Sequence, residues 1–150
     1  MNSTGKALAT GAAAVLALAS GATTAASASP APAAEASASH IKERESNKNG
    51  SYGIVVGHWH KKGSKYRGVN WVYASKDPAK KAHHARWLYK QPGGKVHVGK
   101  SWKKGKYFSK EKFTEVNWYT KPPGGKKLRK GSLVCTQFKG SGKKTCIKLN

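Results

Sequence analysis

His58 and His60 flank Trp59 in the stretch Tyr52-Gly53-Ile54-Val55-Val56-Gly57-His58-Trp59-His60. The run is rich in β-branched and aromatic residues, so it reads as a strand. Side chains two apart on a strand point the same way, and both imidazoles then share a face. Neutral imidazole is a common ligand for zinc and copper, and near neutrality it also serves as a general acid or base. A metal needs a third ligand at least. The remaining nitrogen candidates in the folded part, His83, His84 and His97, have no spacing that brings them to His58. The pair is therefore an incomplete metal site, and no metal or other cofactor is expected from it.

A nuclease could use the same histidines with a lysine, or the acids Asp77, Glu111 and Glu115. No local motif fixes such a set. No serine sits in a Gly-x-Ser-x-Gly elbow, and no glycine-rich turn ends in the Gly-Lys-Ser/Thr of a phosphate loop. The sequence thus predicts no catalytic residues and leans away from an enzyme.

Lysines set beside aromatic rings offer a different chemistry. Lys61 and Lys62 follow Trp59. Trp102 precedes Lys103 and Lys104, and Lys106 precedes Tyr107. A further basic run holds Lys126, Lys127, Arg129 and Lys130. Basic surfaces with stacking rings suit single-stranded nucleic acid and other anionic polymers. For each single site, a charged turn beside a core ring is the plainer reading.

The formal net charge of the 150-residue chain is +23. Residues 46–150 carry 26 Lys and Arg against Asp77, Glu111 and Glu115, and only Arg67, Arg86 and Arg129 of these cations are arginine. Lysine is a point charge on a flexible stem, whereas arginine reads phosphate with a planar fork. The bias predicts diffuse attraction to polyanions more than precise readout.

The elements that must position these residues begin after a leader. Lys6, the apolar run 7–19 and the small-x-small site Ala26-Ser27-Ala28 read as a secretory signal peptide over 1–28. Residues 29–50 hold one large apolar side chain, Ile41, and read as a disordered linker or pro-segment. Residues 51–150 are left as the folded domain. The expected location is extracellular, with no transmembrane segment in the mature chain. In that setting Cys135 and Cys146 read as a disulfide.

A duplicated unit organises the domain. Trp87-Leu88-Tyr89-Lys90-Gln91-Pro92-Gly93-Gly94-Lys95 recurs as Trp118-Tyr119-Thr120-Lys121-Pro122-Pro123-Gly124-Gly125-Lys126, with six of nine positions matching. Upstream, Tyr73-Ala74-Ser75-Lys76-Asp77 recurs as Tyr107-Phe108-Ser109-Lys110-Glu111. The spacing predicts repeats over about 63–95 and about 99–126. The run from Pro123-Gly124-Gly125-Lys126 to Lys130-Gly131-Ser132 resembles strands of bacterial SH3-like modules, over too little of the chain to carry anything across.

Strands are predicted over residues 52–60, 66–73, 85–90, 95–102, 126–129, 132–138 and 145–149, with the copy around Trp118 also strand-like. Val69, Trp71 and Tyr73 should alternate onto one face. Residues 103–106 read as a turn. Asp77-Pro78 is a helix-start signal, predicting a short helix over about 78–84. Gly140-Ser141 suits a two-residue type II′ hairpin turn that would bring Cys135 opposite Cys146. Trp71, Trp87, Trp102 and Trp118 are expected in the core, one per strand. The fold class is mainly β: a small antiparallel barrel or sandwich with an internal duplication.

The function expected from these features is a small secreted basic protein that adheres to anionic polymers. Cell-envelope polymers, anionic lipid surfaces and nucleic acid are the candidate partners, and an antimicrobial action is one consequence. A protease inhibitor presenting Lys90-Gln91 or Lys121-Pro122 is the alternative, with a protease as partner, and a small nuclease ranks below it.

Overall fold

The computed structural model describes residues 40–150. The expected signal peptide over 1–28 and the first part of the expected linker, up to residue 39, lie outside the described residues. Ten strands follow in order: β1 Ile41–Asn49, β2 Tyr52–His60, β3 Tyr66–Lys76, β4 His84–Lys90, β5 Val96–Lys104, β6 Lys106–Phe108, β7 Phe113–Tyr119, β8 Lys126–Arg129, β9 Leu133–Phe138 and β10 Lys144–Lys148.

They form two antiparallel sheets. One runs β1-β2-β3-β7-β6, with β8 pairing the first part of β3, and the other runs β10-β9-β4-β5. The sheets do not close into a barrel, and the arrangement is sandwich-like. Inward residues of both sheets make the core. Ile54, Val56, Val69, Val72 and Leu128 meet Trp87, Val134, Ile147 and Leu149, while Ala74 and Val116 meet Ala85 and Phe138. Ile54 and Val56 on β2, and Val134 and Phe138 on β9, lie an even number of residues apart, so each strand turns its pair to one face.

Several sequence expectations are corrected. Residues 41–49, read as part of a disordered linker, are β1, paired along its whole length with β2. Its composition is polar, so its order comes from the ladder that β2 offers and from two asparagines that reach the other sheet. Asn47 Nδ2 donates to the Cys146 carbonyl at 2.8 Å and Asn49 Nδ2 to the Lys144 carbonyl at 3.3 Å.

The helix after Asp77 does not form, and no helix occurs among the described residues. The backbone of this segment bonds outward instead of to itself. Asp77 N–H donates to the Ser51 carbonyl, Ala79 N–H to the Lys112 carbonyl, and the Lys81 carbonyl accepts from Thr114 Oγ1. With Ala79 buried, these long-range bonds outweigh the local start signal.

The face assignment of β3 is also different. Gly57 pairs Trp71 and His58 pairs Val69, so Asn70 is an extra residue, a β-bulge. Val69 and Val72 both point inward as a result. Trp71 stands on the other side, where its Nε1 donates to Asn117 Oδ1 at 2.7 Å and Arg44 lies over its ring.

The strand β5 runs on through Lys104, where a turn was expected, and the chain crosses between sheets at Gly105. A Cβ there would stand 2.3 Å from the Glu115 carbonyl oxygen, so the crossing needs glycine. Of the four regularly spaced tryptophans only Trp87 is fully buried, at 4 % exposure, and Trp102 is 38 % exposed.

Cys135 and Cys146 do face each other, joined by a disulfide with Cα atoms 4.0 Å apart. The connection between their strands is longer than two residues. Gly140, at φ 80°, is the second central residue of a turn closed by Ser141 N–H to the Phe138 carbonyl.

The two repeat copies occupy unlike places. Trp87 lies on β4 in the four-stranded sheet and Trp118 on β7 in the other. Their Pro-Gly-Gly turns differ too. Gly94 N–H closes on Gln91 around Pro92-Gly93, and Gly124 N–H closes on Lys121 around a cis Pro122-Pro123 bond.

Candidate functional site

Three places gather charged and aromatic side chains. The largest is a cleft of about 560 Å³ between the sheets, on the side where β5 and β7 approach each other. Its lining includes Trp87, Trp118, Lys100, Lys103, Lys126 and Thr120. Trp87 comes from β4 and lies against β5, where a Cβ on Gly99 would meet its ring at 2.3 Å. Trp118 is half-buried against the core. Lys103 Nζ donates to the Asn117 carbonyl at 2.6 Å, across the gap from β5 to β7. Lys126 Nζ sits 5.2 Å from the Tyr89 ring centre, a cation–π contact. The indoles of Trp87 and Trp118 thus line a cleft shared with Lys100 and Lys103 of β5 and Lys126 of β8.

A second cleft, of about 490 Å³, is lined by His60, Ser64, Lys65, Arg67, Arg129 and Lys130. Arg67 is buried, and its guanidinium is held by main-chain oxygens. It donates to those of Ser64, Tyr66 and Asn150. Burial lowers the pKa of His60, and the Arg67 charge beside it lowers it further, against the opposing pull of Glu43.

A third cleft of about 160 Å³ joins Trp59, Lys61, Tyr66, Lys127 and His40. The His40 ring meets Trp59 edge-on at 4.9 Å, and Lys127 lies over Tyr66 at 5.1 Å.

Comparison with known proteins adds nothing to this geometry. No family model, curated protein or solved structure matches the chain.

The expected binding residues therefore divide. Lys103 and Lys126 meet at the large cleft, Arg129 and Lys130 at the second, and Lys61 and Lys127 at the third. Lys62 is exposed in the β2–β3 turn. Trp102 lies against Arg86, whose guanidinium is 4.5 Å from its ring centre and also bonds Gln137. Lys104 lies opposite His84, and Lys106 lies over Phe108 beside Tyr107, away from all three clefts. The two segments considered as inhibitory loops, at Lys90-Gln91 and Lys121-Pro122, lead into tight turns.

His58 and His60 are not solvent-facing. They are 1 % and 8 % exposed. His58 Nε2 is 3.1 Å from Glu45 Oε1 and 3.5 Å from Glu43 Oε2.

Sequence reasoning missed Lys100, Trp87 and Trp118 as cleft residues, and Glu43 and Glu45 as partners of His58. For the glutamates a signal existed. Glu43 and Glu45 alternate with Lys42 and Arg44, a period of two in charge that marks a strand with an acidic and a basic face.

Proposed function

We propose that this protein is a secreted, non-enzymatic binding protein for anionic polymers, and that the cleft between its sheets is where the polymer seats. The observation that carries this reading is the convergence of Lys100, Lys103 and Lys126 on the indoles of Trp87 and Trp118. Ammonium groups hold a polyanion's charged backbone, and the half-buried Trp118 ring offers a face for stacking on bases or sugars, while Trp87, at 4 % exposure, lines the cleft from within the core. The remaining lysines supply a long-range field. A net charge of +23 raises the local concentration of any polyanion and speeds its capture. Contacts of this kind position the polymer and discriminate little between sequences. The two tryptophans come from matching positions of the repeated segment, and the reading takes that repeat as an internal duplication that supplied one ring to each wall. Adhesion to the anionic envelope of another cell, with an antimicrobial outcome, follows from the same chemistry.

The test is binding to single-stranded DNA, teichoic acid and anionic vesicles across a salt series. Log affinity should fall linearly with log salt, losing orders of magnitude between about 50 and about 200 mM. Reversing Lys100, Lys103 and Lys126 to Glu should flatten that slope more than reversing Lys110, Lys112 and Lys143, which lie outside the clefts. Absence of binding to all three at about 50 mM salt would sink the reading.

A further inference from the structure

The histidine pair on β2 lacks a third ligand only as long as β1 is unknown. In the register of the two strands Glu43 stands directly opposite His58, on the same face of the sheet. One nitrogen from each imidazole and one Glu43 oxygen all lie within 4.8 Å of one another.

A second observation points the same way. Nδ1 of His58 and Nδ1 of His60 are both buried with no hydrogen-bond partner among the described residues. Buried ring nitrogens normally find a partner, and two orphans on neighbouring rings of one cluster call for an explanation. In a histidine metal site one nitrogen binds the ion and the other is oriented by a carboxylate or carbonyl. Glu45, 3.1 Å from His58 Nε2, is placed to serve as that carboxylate, which leaves the orphaned Nδ1 as the His58 nitrogen free to bind an ion.

We infer that His58, His60 and Glu43 form a binding site for a divalent transition ion, zinc being the best match to two imidazoles and one carboxylate. Three protein ligands leave one position open, as zinc sites that bind an exogenous ligand do. The Glu43 side chain is 40 % exposed, which leaves an entry path. Arg67 does not hold Glu43, because its guanidinium is turned onto the main-chain oxygens of Ser64, Tyr66 and Asn150.

The experiment is calorimetric titration of the purified, chelator-treated full chain with zinc chloride, alongside thermal denaturation with and without zinc. One ion per chain and a raised midpoint are expected. E43Q and H60Q should each weaken binding about tenfold or more, while H97Q, on an exposed residue outside the cluster, should not. Should H60Q fail to fold, E43Q decides, because its carboxylate lies at the surface. No saturable binding with zinc in excess overturns the site and leaves the cluster as a polar contact between β1 and β2. Binding that E43Q and H60Q leave unchanged overturns it as well, and assigns the zinc to other histidines.

Discussion

Lys103 Nζ donates to the carbonyl of Asn117 at 2.6 Å, tying the edge strand of one sheet to a strand of the other. The contact sets the ammonium beside the indole of Trp118 at the mouth of the cleft. Both groups are exposed, so the bond adds little stability, while the charge is well placed for a ligand. Lys103→Ala should leave the urea midpoint within about 0.5 kcal/mol of wild type. Its affinity for single-stranded DNA should fall, and the salt slope should drop by about one. Titrations at several salt concentrations read both quantities.

Trp118 should behave differently from the lysines. Stacking is insensitive to salt, so Trp118→Leu should cost about 1–3 kcal/mol of single-stranded DNA binding with the salt slope unchanged. An equal loss for a teichoic acid would mean that the ring contributes by shape or burial and not by base stacking. Because Trp118 packs on the core, its folding midpoint should be recorded beside the affinity.

Gly99 is where the cleft is most sensitive to sequence. The Trp87 ring occupies the space that a Cβ would need. Gly99→Val should destabilise the domain by about 1–3 kcal/mol, the usual cost of overpacking. Urea unfolding followed by tryptophan fluorescence measures it, and a neutral result would show that the indole can move aside freely.

The pH response should carry the mark of His83. Its Nε2 is 3.4 Å from Lys76 Nζ. Burial lowers its pKa, and the charges of Lys76 and Lys81 lower it further, below the ordinary 6.5. A histidine with a lowered folded-state pKa binds fewer protons folded than unfolded in that window. Its stabilising contribution is complete above pH 6.5 and declines as the pH falls towards the lowered value. Thermal midpoints should therefore drop on acidification below that pH, and less so in His83→Gln. His60 shifts in the same direction, so part of the loss should remain. Identical pH profiles for the two proteins would refute the assignment.

Reduction of the Cys135–Cys146 bond opens a short loop, since the cysteines are 11 residues apart. Loop-closure entropy predicts a loss of about 2–3 kcal/mol. Urea melts with and without reductant test this.

The amino-acid sequence by itself determined what local chemistry can determine. Richness in β-branched and aromatic residues placed β2, alternation placed most of β3, and the repeated segment and the C-terminal hairpin placed β4 and β9, all nearly at their bounds. The Pro92-Gly93 turn was legible because proline and a positive-φ glycine specify it locally, and Gly93 has φ 71°. The facing of Cys135 and Cys146 followed from two adjacent strands and a short connection.

The tertiary structure decided everything that depends on which strand lies beside which. β1 has no hydrophobic pattern and exists because β2 offers it a ladder. A one-residue bulge at Asn70 turned Trp71 out of the core, an inversion that no period in β3 announces. Lys100, Lys103 and Lys126 are ordinary surface lysines in the sequence, and only the sandwich sets them around the two tryptophans. Likewise, Glu43 meets His58 through a pairing register, 15 residues away along the chain. Such proximities are set by long-range hydrogen bonds and packing, whose energies appear only once the sheets are assembled.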